Sequence, residues 1–330
     1  MTFLVTGVAG FIGFHVANYL CKKGFKVIGI DNLNDYYEIS LKKARLKELE
    51  KHKKAELFEF YKIDISDFSK LKKTLEKDKK NITKVIHLAA QAGVRYSLDH
   101  PFKYADSNLT GHLSILELCR GLPNLEHLIY ASSSSVYGNN DELPYDVGQR
   151  TDNPISLYAA TKKSAELMSY SYSHLYNIPM TGLRFFTVYG HWGRPDMAYY
   201  KFTKAIFENR PIDVFAKGKL KRDFTYIDDI VDGIIGISKK IPKKTKNAPA
   251  HKIYNLGNDK TEEVLRMIKI LEEAIGKKAK IKFLPMQPGD MKETHANIKD
   301  SRKDFGFNPK VKIDQGLPEF VQWYKSYNRL

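Results

Sequence analysis

The chain has 330 residues, 42% of them hydrophobic, enough for a packed core and too many for a disordered chain. Its formal net charge is +16, and its two cysteines, Cys21 and Cys119, make no CxxC and no metal-ligand spacing. This excludes a disulfide scaffold and a zinc-ribbon fold, implies no metal, and fits a reducing, cytoplasmic compartment.

Short apolar runs rich in β-branched residues alternate with helical patterns through the first half. The strand-like runs are Phe3–Thr6, Lys26–Asp31, Phe58–Ile63, Lys84–Ala89, Leu125–Ala131 and Met180–Phe186. The helix-like stretches between and after them are 11–22, 41–54, 67–79, 101–120 and 157–176. Such alternation predicts an α/β fold, a doubly wound parallel sheet covered by helices on both faces. Right-handed crossovers then put every strand's carboxyl end on one edge, where ligands bind.

The apolar N-terminal stretch lacks a signal peptide's positive start, because its first lysine is Lys22, and no run is long enough to cross a bilayer. After about residue 190 Gly and Pro increase and strands shorten. A helix is expected over Thr261–Ile275, with Thr261 as N-cap and Gly276 at C′. The division expected is residues 1–186 as the cofactor domain and 187–330 as a smaller α/β substrate lobe, the chain returning to the first domain near 228–238. The lysines lie in separated runs such as 70–80 and 239–246, without interleaved aromatics. They read as a solvated surface suited to a polyanionic small substrate, and no nucleic-acid or membrane partner is expected.

The first strand runs directly into Gly7-Val8-Ala9-Gly10-Phe11-Ile12-Gly13. In this context Gly7 serves a tight turn, Gly10 a close approach to a pyrophosphate, and Gly13 the packing of helix on sheet. The following helix start, with Phe11 and Ile12, offers free amides and the positive end of a dipole. Asp31 ends the second strand, beside Asn32, where a carboxylate accepts the adenosine ribose hydroxyls and repels a 2′-phosphate. That selects NAD over NADP. Asp64, followed by Ile65, ends the third strand and suits either the adenine amine or the cap of the next helix.

The fifth strand ends in Ser132-Ser133-Ser134-Ser135, and Tyr158 and Lys162 follow, four apart on one helix face. An ammonium near a phenol favours phenolate, a base. Tyr19/Lys23 and Tyr200/Lys204 share the spacing, but only Tyr158 follows a serine-rich strand end at the ligand edge.

The glycine turn, the serine strand end and the Tyr158/Lys162 pair together resemble the extended short-chain dehydrogenase/reductase superfamily. Longer segments resemble its UDP-glucuronate 4-epimerase branch over nearly the full chain: DNLNDYYEISLKKARL (31–46), HLAAQAGVRYSL (87–98), YASSSSVYG (130–138), SLYAATKKSAELM (156–168), LRFFTVYG (183–190), WGRPDM (192–197), KRDFTYIDDI (221–230) and MQPGD (286–290). His191 departs from that pattern, which has proline there.

The resemblance implies NAD and a homodimer. It implies catalysis by Ser133, Tyr158 and Lys162, and a cofactor lined by Ala89, Ala90, Gln91 and Asn108. It further implies a UDP-hexuronic acid substrate at Ser134 and Ser135, its carboxylate at Thr187 and Arg194 and its UDP at Arg222 and Asp290. The activity implied is 4-epimerisation through a transient 4-keto sugar. The rivals in the same fold are a neutral UDP-hexose or UDP-N-acetylhexosamine 4-epimerase, which usually has asparagine at the Thr187 position, and then a UDP-glucuronate decarboxylase. That decarboxylase and the 4,6-dehydratases carry carboxyl groups where this chain has Ser134 and Ser135.

Overall fold

A computed structural model describes residues 1–51, 55–287 and 291–330. Seven parallel strands form the central sheet: β1 (Thr2–Thr6), β2 (Lys26–Asp31), β3 (Phe58–Lys62), β4 (Ile82–His87), β5 (His127–Ser133), β6 (Met180–Phe185) and β7 (His251–Leu256). Their order is β7-β6-β5-β4-β1-β2-β3, so the winding reverses between β1 and β4. This is the doubly wound parallel sheet expected, and the reversal opens a crevice at the carboxyl ends of β1 and β4.

Alternation along each strand feeds both faces. In β1, Phe3 and Val5 join one apolar cluster and Leu4 the other, and all three are buried. Burying a side chain such as Leu4 contributes about 1.5–3 kcal/mol.

The flanking helices include α1 (Phe11–Lys22), α2 (Ile39–Glu50), α3 (Phe68–Leu75), α4 (Gly111–Arg120) and α5 (Leu157–Tyr176). The 101–120 stretch is not one helix. It comprises an α-turn at Pro101–Tyr104, a π-helical segment at Ala105–Thr110 and then α4. The π segment widens the turn at Asn108, a device frequent at functional sites.

The second half adds α6 (Ala198–Phe207), α7 (Ile227–Ser238), α8 (Val264–Ile275) and α9 (Ile313–Asn328). Three two-stranded ribbons accompany them, pairing Thr187–Tyr189 with Phe224–Tyr226, Lys221–Arg222 with Glu262–Glu263, and Pro211–Phe215 with Lys280–Leu284. Helix α7 packs on α1, and β7 completes the sheet beside β6. The first lobe therefore draws on residues from both halves of the chain. The helix expected from Thr261 starts later. Glu262 and Glu263 pair with Arg222 and Lys221 as strand, so Glu263 rather than Thr261 precedes the first helical turn. Gly276 closes that helix in the left-handed region, φ 79°, as expected.

Candidate active site

The crevice at the β1/β4 reversal is lined by the glycine turn, Asp31, Asn32, the Leu88–Ala92 loop, the end of β5, Tyr158, Lys162 and Arg194. Gly7 sits at φ +72°, and a Cβ there would lie 2.7 Å from the Ala89 nitrogen. A Cβ on Gly13 would lie 2.1 Å from the Gly7 carbonyl oxygen. Gly10 precedes α1 with extended backbone and no capping side chain, and no acidic residue occupies the first turn. The first-turn amides are thus left for an external anion. These features fit the pyrophosphate of a dinucleotide.

The Asp31 carboxylate accepts from the amides of Ala9 (3.1 Å) and Leu33 (2.8 Å) and lines the crevice. Burial raises its pKa, opposed by those two bonds and by Lys42 and Arg45. Asn32 donates to Asp64 at 2.8 Å. Asp64 also binds the amide and hydroxyl of Ser66, so it builds a local turn, and Asp67 caps α3 instead. Ile65 lines the crevice and Asp64 is not among its described lining residues.

Asn108 is buried beneath the loop rather than lining the crevice. Its Oδ1 accepts from the Gln91 amide (2.8 Å), and its Nδ2 donates to the Gln91 carbonyl and the Thr161 hydroxyl (both 3.0 Å). It pins the Ala89–Gln91 loop to α5, so its role is to position the wall.

At the other end of the crevice, Ser156 caps α5 by accepting from the Ala159 amide at 3.1 Å. One helical turn then brings Tyr158 and Lys162 under the end of β5. Burial raises the Tyr158 pKa, while a hydrogen bond with Ser133 and the charge of Arg194 pull it back. Burial lowers Lys162 to about 8. Its Nζ donates to the Ala131 carbonyl at 2.9 Å, tying helix to strand. The Ser133 hydrogen bond and the Arg194 charge are the influences that favour the Tyr158 phenolate here, while the Asp196 charge opposes them.

Arg194 is engaged before any substrate arrives. Its Nε and Nη2 fork onto Asp196 at 3.0 and 2.5 Å, and its guanidinium lies 5.9 Å from the Tyr36 ring centre. Thr187 lies in its own ribbon, its amide donating to the Asp223 carbonyl at 3.0 Å, and is not among the described lining residues. Ser134 and Ser135 form the 3-10 turn after β5 and also lie outside that lining. The Ser135 hydroxyl and amide both bind Ser133. Arg222 lies on the ribbon with Glu262, its Nη1 donating to the Lys221 carbonyl at 2.8 Å. Asp290 lies outside the described residues.

Sequence reasoning assigned no role to Lys42, Tyr36, Arg45 or Asp196. Lys42 donates to Asn34, and Tyr36 donates to Asp196 at 3.0 Å. Arg45 is fully buried and donates to the carbonyls of Ala9, Trp192 and Gly193 at 2.7–3.0 Å. It staples the glycine turn to the loop bearing Arg194. The signal was the DNLNDYYEISLKKARL segment, but its spacing names no partner 147 residues away.

The Gly13 contact supports a direct expectation. The wild-type protein purifies with NAD(H) bound, and Gly13→Ala loses cofactor affinity by about tenfold or more, because Gly7 must move off the phosphate cradle; each 1.4 kcal/mol is tenfold. Nucleotide released by heating is assayed. NADP(H) in the released pool would overturn the Asp31 argument, and unchanged NAD(H) in the variant would overturn the cradle.

Comparison with known proteins places this geometry. The family model described as GDP-mannose 4,6 dehydratase matches residues 4–320. Protein CapI of Staphylococcus aureus is 48% identical over 99% of both chains. UDP-glucuronate 4-epimerase 1 of Arabidopsis thaliana is 45% identical, over 98% of this chain and 76% of that one. The crystal structure of the UDP-glucuronic acid 4-epimerase from Bacillus cereus, in complex with UDP-glucuronic acid and NAD, superposes with a TM-score of 0.87 at 34% identity, covering 99% of this chain and 100% of that one. With a glycine cradle for NAD at one end of the crevice and a Ser133-Tyr158-Lys162 set at the other, this chain belongs to the extended short-chain dehydrogenase/reductase family of NAD-dependent nucleotide-sugar epimerases and dehydratases.

Proposed function

We propose that the protein interconverts UDP-glucuronate and UDP-galacturonate. The observation that carries this reading is Tyr158 beside Ser133, with Arg194 in the same crevice, in a chain 45% identical to a UDP-glucuronate 4-epimerase. Bound NAD supplies a reversible hydride acceptor. Tyr158 takes the proton of the sugar 4-hydroxyl, and Ser133 holds that oxygen as it becomes a ketone. Lys162 anchors α5 to β5, so the phenol keeps its place while the flat 4-keto sugar turns to its other face. Tyr158 then returns the proton, and no net oxidation results.

Asp31 is the only carboxylate among the described residues lining the crevice, and it sits at the ribose end. Elimination of the C6 hydroxyl needs an acid and base at the sugar; the one other carboxylate whose charge reaches Tyr158, Asp196, is held by Arg194 and Tyr36, so the dehydratase chemistry of the matching family model is disfavoured.

One observation favours the neutral-sugar epimerase as second reading: Asp196 already takes one fork of Arg194. Guanidinium carries five N–H donors, so Nη1 remains for a sugar carboxylate. A charge-assisted bond contributes about 1.5–3 kcal/mol, and we expect about tenfold or more preference in kcat/KM for UDP-glucuronate over UDP-glucose. Arg194→Ala loses most of that preference and releases some UDP-pentose, because the 4-keto uronic acid is a β-keto acid left unrestrained. Equal wild-type rates on the two sugars would promote the neutral-sugar reading. In the uronic-acid reading, Arg222 and Asp290 hold the UDP moiety, and the lobe from 187 onward, less α7 and β7, binds it.

The partner we propose is a second copy of this chain. Leu98, Phe102, Leu113, Leu167 and Tyr170 are exposed, Phe102 at 81%, on helices that pack against one another around α5. An apolar patch of that kind marks an association surface. Light scattering should give a dimer that Leu167→Glu converts to monomer with NAD still bound; a monomeric wild type would refute it. The buried, free Cys21 and Cys119 favour the reducing cytoplasm.

A further inference from the structure

The turn after Thr187–Tyr189 carries His191, which packs edge-on against His15 of α1, ring centres 4.5 Å apart. The Nε2 of His15 lies 2.9 Å from the His191 carbonyl oxygen, so this nitrogen carries the proton and donates. The Nδ1 of His191 lies 3.2 Å from the Tyr226 hydroxyl. Asp228 opens α7 two residues beyond Tyr226. One ligand atom from each of His15, His191 and Asp228 lies within 4.8 Å of the other two. None of the three lines the catalytic crevice, and the epimerase chemistry uses none of them.

We propose that His15, His191 and Asp228 form a binding site for one divalent transition metal of the zinc class, completed by water. Two imidazoles and a carboxylate are a donor set for such ions, at bonds of about 2.0–2.2 Å. Tetrahedral bonds of that length put ligand atoms roughly 3.4 Å apart, so side-chain movements of about an ångström close the set. One nitrogen of each ring has an oxygen partner, the His191 carbonyl for His15 and the Tyr226 hydroxyl for His191. That pattern of outer partners fixes the tautomer of metal-bound histidines.

The charges around the cluster favour a cation. Asp228 and Glu319 act on His191, and Asp232 adds to Asp228, against Lys22. Arg45 and Lys22 also act on His15. The ion would clip α1, which carries the cofactor cradle, to α7 and to the turn that leads into Arg194. Its role is structural. The histidine that makes it possible stands where the pattern resembled above has proline.

The test uses the NAD-loaded protein, freed of metal with a chelator and titrated with zinc chloride by calorimetry and thermal melting. We expect one zinc per chain and a higher Tm. His191→Ala and Asp228→Asn each weaken binding by about tenfold or more, as even loss of an outer partner costs 10–100-fold. His295→Ala, which alters the separate His295–Asp259 pair at 3.7 Å, leaves it unchanged. Turnover of the metal-free enzyme stays near wild type, which separates this site from the catalytic one. Cobalt substitution provides a second readout, since its visible bands report imidazole and carboxylate ligation and change on His191→Ala. Zinc binding equal in wild type and both ligand variants, or binding abolished by His295→Ala, would overturn the proposal.

Discussion

Tyr158→Phe removes nearly all turnover, by roughly 100- to 10,000-fold, while cofactor content and Tm stay close to wild type. The phenol is the proton acceptor at the sugar, and a positioned acid–base group contributes about that much. The ring survives the substitution, so its packing against Tyr104, with ring centres 6.1 Å apart, is retained. Tyr19→Phe and Tyr200→Phe retain activity, because neither phenol lines the crevice. Inactivation by either of these, with Tyr158→Phe still active, would show that another pair does the chemistry. Ser133→Ala adds a signed pH effect. Its hydrogen bond lowers the Tyr158 pKa, so its loss moves the acid limb of the kcat profile to higher pH.

Glu166→Ala destabilises the fold by about 3–5 kcal/mol, the cost of leaving one partner of a buried ion pair uncompensated. Glu166 and Arg184 are each 2% exposed and joined by two bonds, Nε to Oε1 at 2.8 Å and Nη2 to Oε2 at 2.9 Å. The Ser132 hydroxyl donates to the same carboxylate at 2.6 Å. The pair thus ties α5 to β5 and β6 one turn below Lys162. Replacing both partners, Glu166→Leu with Arg184→Met, recovers much of the loss, since an apolar pair of similar volume bears no desolvation penalty. Urea unfolding measures both; a single variant within about 1 kcal/mol of wild type would show the guanidinium finds another partner. Glu166 also raises the Lys162 pKa. Its removal therefore moves the ammonium below about 8, and activity falls off at lower pH on the alkaline side.

The segments whose structure follows from neighbours a few residues away were legible directly. The β1–turn–α1 unit is one, because apolar run, glycines and helix start are contiguous. Helix α5 matches its expected span, 157–176, because Ser156 caps it locally and Asn177 ends it in the left-handed region. The glycine spacing carried the cofactor, since only a residue without Cβ fits where Gly7 and Gly13 touch neighbouring backbone. Local rules failed where a distant strand competed. Thr261 looks like a cap, but Glu262 and Glu263 are taken by Arg222 and Lys221.

By itself, then, the sequence determined the winding of the sheet, the dinucleotide cradle and the family, all set by short-range periodicity and residue type. Tertiary structure decided what the polar side chains around the crevice do. Asn108 pins a loop, Lys162 bonds the Ala131 carbonyl, and Arg194 forks onto Asp196. It also brought β7 back to the sheet and set His15, His191 and Asp228 together. The reason is physical: a buried polar group must find a partner. Which partner it finds depends on chain crossings tens to hundreds of residues apart, which no local pattern encodes.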